Sequence, residues 1–353
     1  MKTIQGAGQP IFFEDPFAKL QDFLAKSSYS KVFILVDTNT DKHCLPLLTA
    51  TLANLNGFDI IEIDPGEENK NIDFCIGIWK MLLDFGADRN SLLINLGGGI
   101  VMDMGGFAAS TFKRGIDFIQ VPTTLLAQVD ASIGGKTGLN MDHIKNCIGT
   151  FTQPKAIFIV HDFLKTLNER ELLSGFAEII KHGLVYDARY FKQVQHLPID
   201  EIAPEIVYRS VEIKNEIVSK DPLEKHGLRK ILNFGHTIGH ALETYSLTQD
   251  KKPLSHGEAI AIGFICEGYL STQKSGLSMN EFLDIQQTIL SRYPKYELKE
   301  SSFIDLIEIM KNDKKNTSEH INFSLLKQIG KSTIDHYCSE EEIYTALLFC
   351  FKE

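Results

Sequence analysis

The sequence has few features of secreted, membrane or redox-stapled proteins. No apolar run approaches the roughly 18 residues that a membrane-spanning helix needs, and the start has no apolar signal segment. The six cysteines show no CxxC spacing, which indicates free thiols in a reducing compartment rather than disulfides or a thiolate metal site. They are Cys44, Cys75, Cys147, Cys266, Cys338 and Cys350. These absences predict a cytoplasmic protein with no membrane partner.

The sequence also lacks a basic excess. Its formal net charge is -10, which argues against nonspecific binding to nucleic acid. A local cluster of lysine or arginine is therefore more informative, because it opposes the overall field of the protein.

The 353 residues form a pattern that changes along the chain. The first part alternates short apolar strands with helical stretches, as in parallel βαβ units, and the later part is dominated by helical periodicity. Predicted strands are 31–37, 59–64, 91–96, 116–121 and 156–160, and predicted helices are 72–85, 100–110, 169–185, 202–219, 231–245 and 257–272. The sequence thus predicts an α/β, Rossmann-like dinucleotide-binding domain with a parallel sheet over 1–160. An all-α, mainly helical metal and substrate domain is predicted over 161–353.

Three segments of the first part are candidates for binding a dinucleotide. Glycines 97–99 follow a strand and precede a helix, where phosphates can approach backbone N–H groups. Asp37-Thr-Asn39 closes an earlier strand, and the loop with Gly66, Glu67 and Glu68 follows another. The strict GxGxxG fingerprint is absent, so a tight turn, a strand end and a solvated acidic loop are the competing interpretations. Together the segments favour NAD.

A lysine-bearing glycine turn lies further along. Gly134-Gly-Lys136-Thr137 is similar to the end of a P-loop, but Val129 stands where the upstream glycine belongs. Lys136 therefore fits a point-charge phosphate binder outside a true P-loop, and Lys145-Asn146 adds a cation and an amide nearby.

Histidines and an acid in the second part suggest a metal site. His236 and His240 are four residues apart on one predicted helical face, and His256 follows downstream. Glu178 would complete a His₂Glu set of the kind that binds catalytic zinc. A polar helix face and a surface Glu178–Lys181 ion pair are the competing interpretations.

At these residues the chain resembles the 3-dehydroquinate synthase family of the shikimate pathway, within the sugar-phosphate cyclases. The resemblance covers essentially the whole chain and is densest over residues 97–154, RELLSGFAEIIKHGL, GLRKILNFGHTIGHALE and HGEAIAIG. It implies a Rossmann-like domain followed by a helical domain, a homodimer, NAD, and Zn²⁺ or Co²⁺. The implied substrate is 3-deoxy-D-arabino-heptulosonate 7-phosphate, whose two anionic groups would meet two separate sets of cations.

The resemblance also implies roles for individual residues. The metal ligands would be Glu178, His236 and His256. The NAD site would comprise Asp37, Asn39, Gly66, Glu67, Glu68, Lys70, Gly98, Gly99, Asp103, Thr123, Thr124, Lys145 and the stretch from Phe163 to Thr166. The phosphate would meet Lys136, Asn146, Lys314 or Lys315, and Arg114 of the partner subunit. Lys214 and Arg229 would hold the carboxylate, and Asp130, Lys181 and Asn233 would face ring hydroxyls. His240 would transfer protons, together with Glu224, which is separated from Gly227 by one residue more than is usual in the family.

The implied reaction is oxidation by NAD, elimination of phosphate, reduction, ring opening and an intramolecular aldol closure. Three alternatives stay open. One is a cyclase that forms an inosose or a valiolone, whose substrates lack the carboxylate that Lys214 and Arg229 would bind. The others are an NAD-consuming polyol or alcohol dehydrogenase and a non-catalytic metal-binding protein.

Overall fold

The protein was analysed as a computed structural model that describes residues 2–52, 57–141, 144–311 and 320–352. The chain divides into two compact units, which are Met1–Asn168 with Lys214–Leu223, and Glu169–Ile213 with Glu224–Glu353. The segment Lys214–Leu223 therefore belongs to the first unit although it follows residues of the second.

The first unit alternates strands and helices as predicted. Its elements are β1 (Ile4–Gln5), β2 (Pro10–Phe12), α1 (Pro16–Ala25), β3 (Val32–Asp37), α2 (Thr38–His43), α3 (Leu45–Thr51), β4 (Asp59–Ile63), α4 (Ile72–Asp84), β5 (Leu92–Gly97), α5 (Gly99–Thr111), β6 (Asp117–Pro122), β7 (Lys136–Met141), β8 (Ile144–Phe151) and β9 (Ile157–Phe158). Short 3₁₀ segments occupy Glu67–Asn69, Phe112–Arg114 and His161–Thr166, and a π-helical turn occupies Ala127–Ala131.

Seven strands form one sheet in the order β1-β2-β9-β6-β5-β3-β4. All neighbouring pairs are parallel except β1 with β2, which confirms the predicted parallel sheet. The chain runs from β3 outward to β4 and then returns to the other side of β3 with β5. This reversal is a topological switch point, where open α/β sheets bind ligands at the carboxyl ends of their strands.

The sheet is buried on both faces, as the continuous apolar strands predict. In β3, Phe33 and Leu35 join the core that α4 and α5 cover. Ile34 and Val36 point the other way, into the core that α1 and α3 cover. Alternate residues of one strand thus serve two helical layers.

The second unit is mainly helical, as predicted. Its elements are α6 (Glu169–Tyr186), α7 (Ala188–Val194), the first turns of α8 (Pro204–Lys220), α9 (His236–Gln249), α10 (His256–Lys274), α11 (Met279–Leu290), α12 (Phe303–Lys311), β10 (Ile321–Gln328), β11 (Lys331–Cys338) and α13 (Glu340–Lys352). Short 3₁₀ segments occupy Ile199–Glu201, Leu228–Asn233 and Glu300–Ser302. The core lies among α9, α10, α12, α13 and β10.

Three features differ from the sequence predictions. The helix predicted over 231–245 is wrong at its start, because a 3₁₀ segment ends at Asn233 and α9 begins only at His236. Gly235 separates them with a φ of 81°, a left-handed conformation that breaks the helix. The antiparallel hairpins β7–β8 and β10–β11 were not predicted. Within the described ranges, no helix combines the length and apolar character needed to cross a bilayer.

Helix α5 packs closely against the sheet through Gly105. A Cβ there would lie 2.0 Å from Asn95 Oδ1 and 2.8 Å from Leu35 Cδ2, whereas a Cβ at Gly77 of α4 would meet nothing within 4 Å. We expect Gly105→Ala to lower the free energy of unfolding by about 1–3 kcal/mol through overpacking. Gly77→Ala, the matched control, should be neutral or raise it by up to about 1 kcal/mol through helix propensity. Urea unfolding of both variants measures this, and equal shifts would refute the packing argument.

Candidate active site

A buried acid and two histidines from three helices meet in the second unit. Glu178 lies in the middle of α6, while His236 and His256 are the first residues of α9 and α10. Glu178 Oε1 is 3.5 Å from His236 Nε2 and 3.4 Å from His256 Nε2. One ligand atom from each lies within 4.8 Å of the others, and one carboxylate with two imidazoles is a donor set that suits zinc-like cations. We name these three residues the ligand cluster.

Lys181 lies one turn after Glu178 and sets the charge of the cluster. Its ammonium pairs with Glu178 Oε2 and lies 3.4 Å from His236 Nε2. Burial acts to raise the pKa of Glu178, but Lys181 and the two histidines hold that pKa well below its usual value. Burial and Lys181 also lower the pKa of His236 well below its usual value. The acid is therefore ionised and His236 neutral, which are the states that bind a cation.

His256 stands between two carboxylates. Its Nε2 faces Glu178, and its Nδ1 lies 3.5 Å from Glu243 Oε2. Although burial acts to lower the pKa of His256, hydrogen bonds to Glu178 and Glu243 raise it to about 9. A cation bound to the cluster would take the place of the proton on Nε2, while Glu243 would keep the proton on Nδ1.

Hydrogen bonds also fix which nitrogen His236 turns toward the cluster. Its Nδ1 lies 3.1 Å from the backbone oxygen of Phe234, so that Nδ1–H donates to this carbonyl and Nε2 keeps its lone pair for a cation. His240 completes the group, with its ring centroid 5.0 Å from that of His236 and 5.9 Å from that of His256. His240, Glu243 and His256 form a second possible donor set.

The start of α10 is held in place by a network of polar side chains. Ser255 and Glu258 form a reciprocal capping box around the first turn. Arg170 donates from Nε to Glu258 Oε1 at 2.9 Å and from Nη2 to Glu258 Oε2 at 2.6 Å. Next to His256, a Cβ on Gly257 would lie 2.4 Å from Ser174 Cα of α6. Because Ser174 is one turn before Glu178, this contact brings the acid and the histidine together.

Predicted cofactor residues in the first unit lie at the switch point. Asp37 ends β3, and Gly98 is the N-cap of α5 directly after β5. A Cβ on Gly98 would lie 3.1 Å from Thr124 Cγ2, and a Cβ on Gly99 would lie 3.5 Å from Ala131 Cβ. The bare backbone at the positive end of α5 is the kind of surface that a pyrophosphate approaches.

Asp37 also has a local structural role. Its Oδ1 accepts from the backbone N–H of Thr40 at 2.8 Å in a capping box for α2, and Asn39 lies exposed within that helix. Thr123 is buried and donates its backbone N–H to Gly97 O.

Lys70 connects several other predicted residues. Its Nζ lies 2.6 Å from both Asp103 Oδ2 and Asn146 Oδ1. Nearby, Lys145 pairs with Glu67 Oε1 at 3.7 Å. Four predicted cofactor residues and one predicted phosphate residue thus lie in neighbouring ion pairs and hydrogen bonds of the first unit.

Lys214 and Asp130 are paired within the first unit. Lys214 Nζ lies 2.6 Å from Asp130 Oδ1 and donates to the Asp130 carbonyl at 2.5 Å. The lysine is buried, so this pairing neutralises its charge in the ligand-free state.

The structure places the remaining predicted residues apart from these groups. Phe163 is wholly buried in the apolar core beside Phe17, so its side chain packs there rather than lining a cofactor surface, and Thr166 Oγ1 donates to its carbonyl. Arg229 and Asn233 belong to the 3₁₀ segment Leu228–Asn233, shortly after Glu224. The others lie in loops or at strand ends: Gly66 and Glu68 beside β4, Arg114 before β6 and Lys136 at the start of β7. Lys314 and Lys315 fall outside the described residues.

The sequence reasoning missed the side chains that hold the ligand cluster. Ser255-x-x-Glu258 is a capping-box pattern that could have been recognised. Glu243 and Glu267 give no such signal, because their contacts join separate helices. Burial raises the pKa of Glu267 to about 8, while backbone N–H groups of Ile238, Gly235 and Thr237 act to lower it.

Two family models match consecutive parts of the chain. Residues 60–174 match the N-terminal family of 3-dehydroquinate synthase, and residues 175–316 match its C-terminal family. Among curated proteins, the 3-dehydroquinate synthase of Parabacteroides distasonis is 43% identical over 96% of both chains. That of Alkaliphilus metalliredigens is 40% identical over 91% of this chain and 90% of its own.

Solved structures share the fold at lower identity. A 2-deoxy-scyllo-inosose synthase complexed with carbaglucose-6-phosphate, NAD⁺ and Co²⁺ superposes with a TM-score of 0.87 at 22% identity, covering 98% of this chain and 99% of the other. A 2-epi-5-epi-valiolone synthase from Streptomyces hygroscopicus, with NAD⁺ and Zn²⁺ bound, gives 0.82 at 23% identity over 100% and 99%. An iron-containing alcohol dehydrogenase from Thermotoga maritima gives 0.65 at 16% identity over 99% of both chains.

We expect Glu178→Gln to weaken the binding of Zn²⁺ or Co²⁺ by more than about tenfold, because it removes the anionic donor and leaves Lys181 without its counter-charge. Glu171→Gln changes an exposed acid at the start of the same helix and is the matched control. Competition with a chromogenic chelator gives both affinities. Equal affinities in the two variants would show that the ligand cluster does not hold the cation.

Proposed function

We propose, because the chain belongs to the 3-dehydroquinate synthase family, that it converts 3-deoxy-D-arabino-heptulosonate 7-phosphate to 3-dehydroquinate and phosphate. The observation that carries this proposal is the ligand cluster of Glu178, His236 and His256, which lies in the part of the chain that matches the C-terminal family. The matching relatives cover nearly the full length of the chain.

The proposed enzyme uses NAD and a divalent cation, Zn²⁺ or Co²⁺. The donor atoms of the ligand cluster suit such a cation, and the glycine edge at the switch point suits a dinucleotide. Bound there, NAD supplies reversible hydride transfer and the cation supplies Lewis acidity. The division of labour predicted from the sequence, with NAD on residues 1–160 and the cation and substrate on 161–353, is part of this proposal.

The proposed NAD residues include two kinds of group. Gly98 and Gly99 offer backbone N–H groups to the pyrophosphate, and Asp37 offers a carboxylate oxygen to a ribose hydroxyl. The network around Lys70 and Asp103 keeps Glu67 and Lys145 in place near this edge. For Phe163, only the backbone is proposed to face the cofactor, because its ring lies in the core.

Proton transfer is assigned to His240, which is close to both ligand histidines but stands one turn further along α9. Lys181 keeps Glu178 ionised, and it is proposed to face a ring hydroxyl together with Asp130 and Asn233. Glu224 is proposed to relay protons with His240. It lies before the 3₁₀ segment, with a left-handed φ of 56°.

The cations are proposed to hold the two anionic groups of the substrate. Lys214 and Arg229 would bind the carboxylate, and both are buried. When the carboxylate binds, Lys214 exchanges its pairing with Asp130 for the substrate, which leaves Asp130 able to accept from a hydroxyl. Lys136, Asn146 and one of Lys314 and Lys315 would bind the phosphate, together with Arg114 of a partner subunit.

A homodimer in the cytoplasm completes the proposal. The backbone at Arg114 supports a functional role for this residue, because Lys113 and Arg114 both have left-handed φ values, 49° and 74°. Such conformations are costly for residues with side chains and are often found at functional sites.

The purified protein should release one phosphate per heptulosonate phosphate consumed and form dehydroquinate, with no net accumulation of NADH. The reason is that the cofactor is proposed to be regenerated within each turnover. Phosphate release, dehydroquinate absorbance and NADH absorbance, followed together, measure this. Steady accumulation of NADH would indicate a dehydrogenase instead. Cyclisation of glucose 6-phosphate or sedoheptulose 7-phosphate, with no turnover of the carboxylated substrate, would indicate an inosose or valiolone synthase.

Mixing two inactive variants tests whether Arg114 acts across a dimer. Arg114→Ala subunits keep the ligand cluster, and Glu178→Gln subunits keep Arg114, so a hybrid dimer would contain one complete site if Arg114 acts in the partner. After joint unfolding and refolding of equal amounts, we expect recovery of up to about a quarter of wild-type activity. Each variant refolded alone is the control. An inactive mixture that contains hybrid dimers by mass spectrometry would place Arg114 in its own subunit's site.

A further inference from the structure

The helix that begins with the ligand His236 has no cap of its own. Residue Gly235 holds the N-cap position of α9 and has no side chain that could accept from the free N–H groups of the first turn. A side chain would not fit there, because a Cβ on Gly235 would lie 2.3 Å from Phe264 Cδ1. Any cap for α9 must therefore come from a different part of the chain.

Glu267 of α10 supplies this cap from a distance in sequence. Its Oε2 accepts from the backbone N–H of Gly235 at 2.5 Å, and its Oε1 accepts from that of Ile238 at 3.0 Å. The side chain is fully buried. Burying a carboxylate is costly unless hydrogen bonds compensate it, and here both oxygens are used on the first turn of one helix.

Two neighbours on α10 make this contact possible. A Cβ on Gly263 would lie 2.0 Å from Gly235 O, so only glycine lets α10 come this close to the start of α9. The ring of Phe264 stacks on that of Phe234 at 5.5 Å with planes 7° apart. Residues 263, 264 and 267 lie on one helical face, and this face contacts the backbone immediately before His236.

We propose that Glu267 is a positioning residue for His236, which aims the imidazole at the cation by fixing the first turn of α9. The inference rests on the proposed function, since it takes His236 to be a metal ligand. Phe234 O, which accepts from His236 Nδ1–H, belongs to the same fixed segment. Thus α10 carries one ligand, His256, at its first residue, and three turns later it positions the next ligand through Glu267.

Glu267→Gln tests the proposal. Because both oxygens of Glu267 accept from N–H groups, either orientation of the amide turns its NH₂ toward a backbone donor. We expect the affinity for Zn²⁺ to fall about 10–100-fold, as for other residues that orient a metal ligand. The visible absorption of the Co²⁺-loaded protein should also change in position or intensity, because this band reports the coordination geometry.

Glu281→Gln is the matched control. Glu281 accepts from the backbone N–H groups of Ser278 at 3.2 Å and Ile329 at 3.0 Å, at the start of α11, which carries none of the proposed ligands. This variant should lose stability without changing the zinc affinity or the cobalt spectrum. A folded Glu267→Gln protein with the affinity and spectrum of the wild type would overturn the proposal.

Two further outcomes are decisive. If Glu267→Gln does not reach the wild-type circular dichroism, Glu267→Asp carries the test, since it keeps the charge but shortens the reach. An altered cobalt spectrum in a folded Glu267→Asp protein supports the positioning role, and an unaltered one refutes it. If wild-type protein binds neither Zn²⁺ nor Co²⁺, the ligand cluster itself fails, which is a failure of the proposed function.

Discussion

The buried carboxylate of Glu178 imposes the arrangement of the second unit around it. A carboxylate in a protein interior needs compensating charge, and here Lys181 and two imidazoles provide it from three different helices. For those groups to reach one point, α9 and α10 must both begin there, so each helix needs a cap at that place. The capping box of Ser255 with Glu258 and the remote cap from Glu267 meet this need. Glycines at 235, 257 and 263 then let three backbones approach one another.

The sequence predicted local order well because local order follows from periodicity. The apolar run of β3 and the helical spacing of α4, α6 and α10 appear near the predicted boundaries. The prediction was wrong before His236, where apolar residues continue the helical spacing although Gly235 breaks the helix. The hairpin of β10 and β11 lay beyond prediction, since its pairing is between segments rather than within one.

For the candidate site, residues with a recognisable pattern were found and their supports were not. Glu178, His236 and His256 were chosen through spacing and family resemblance, and the structure brings them together. Glu243 and Glu267 could not be chosen, because each is an ordinary acid on a helix until another helix is packed against it. The burial of Phe163 was likewise hidden, since a motif position does not reveal whether the ring or the backbone faces a ligand.

The split composition of the first unit bears on how the chain is made. Lys214–Leu223 belongs to this unit, and Lys214 pairs there with Asp130, although the intervening residues from Glu169 to Ile213 belong to the second unit. A ribosome releasing the chain from its N-terminus therefore cannot deliver a finished first unit until residue 223 has emerged, by which time α6 and α7 are already outside. An expression fragment that stops after Asn168 would likewise leave Asp130 without its buried partner.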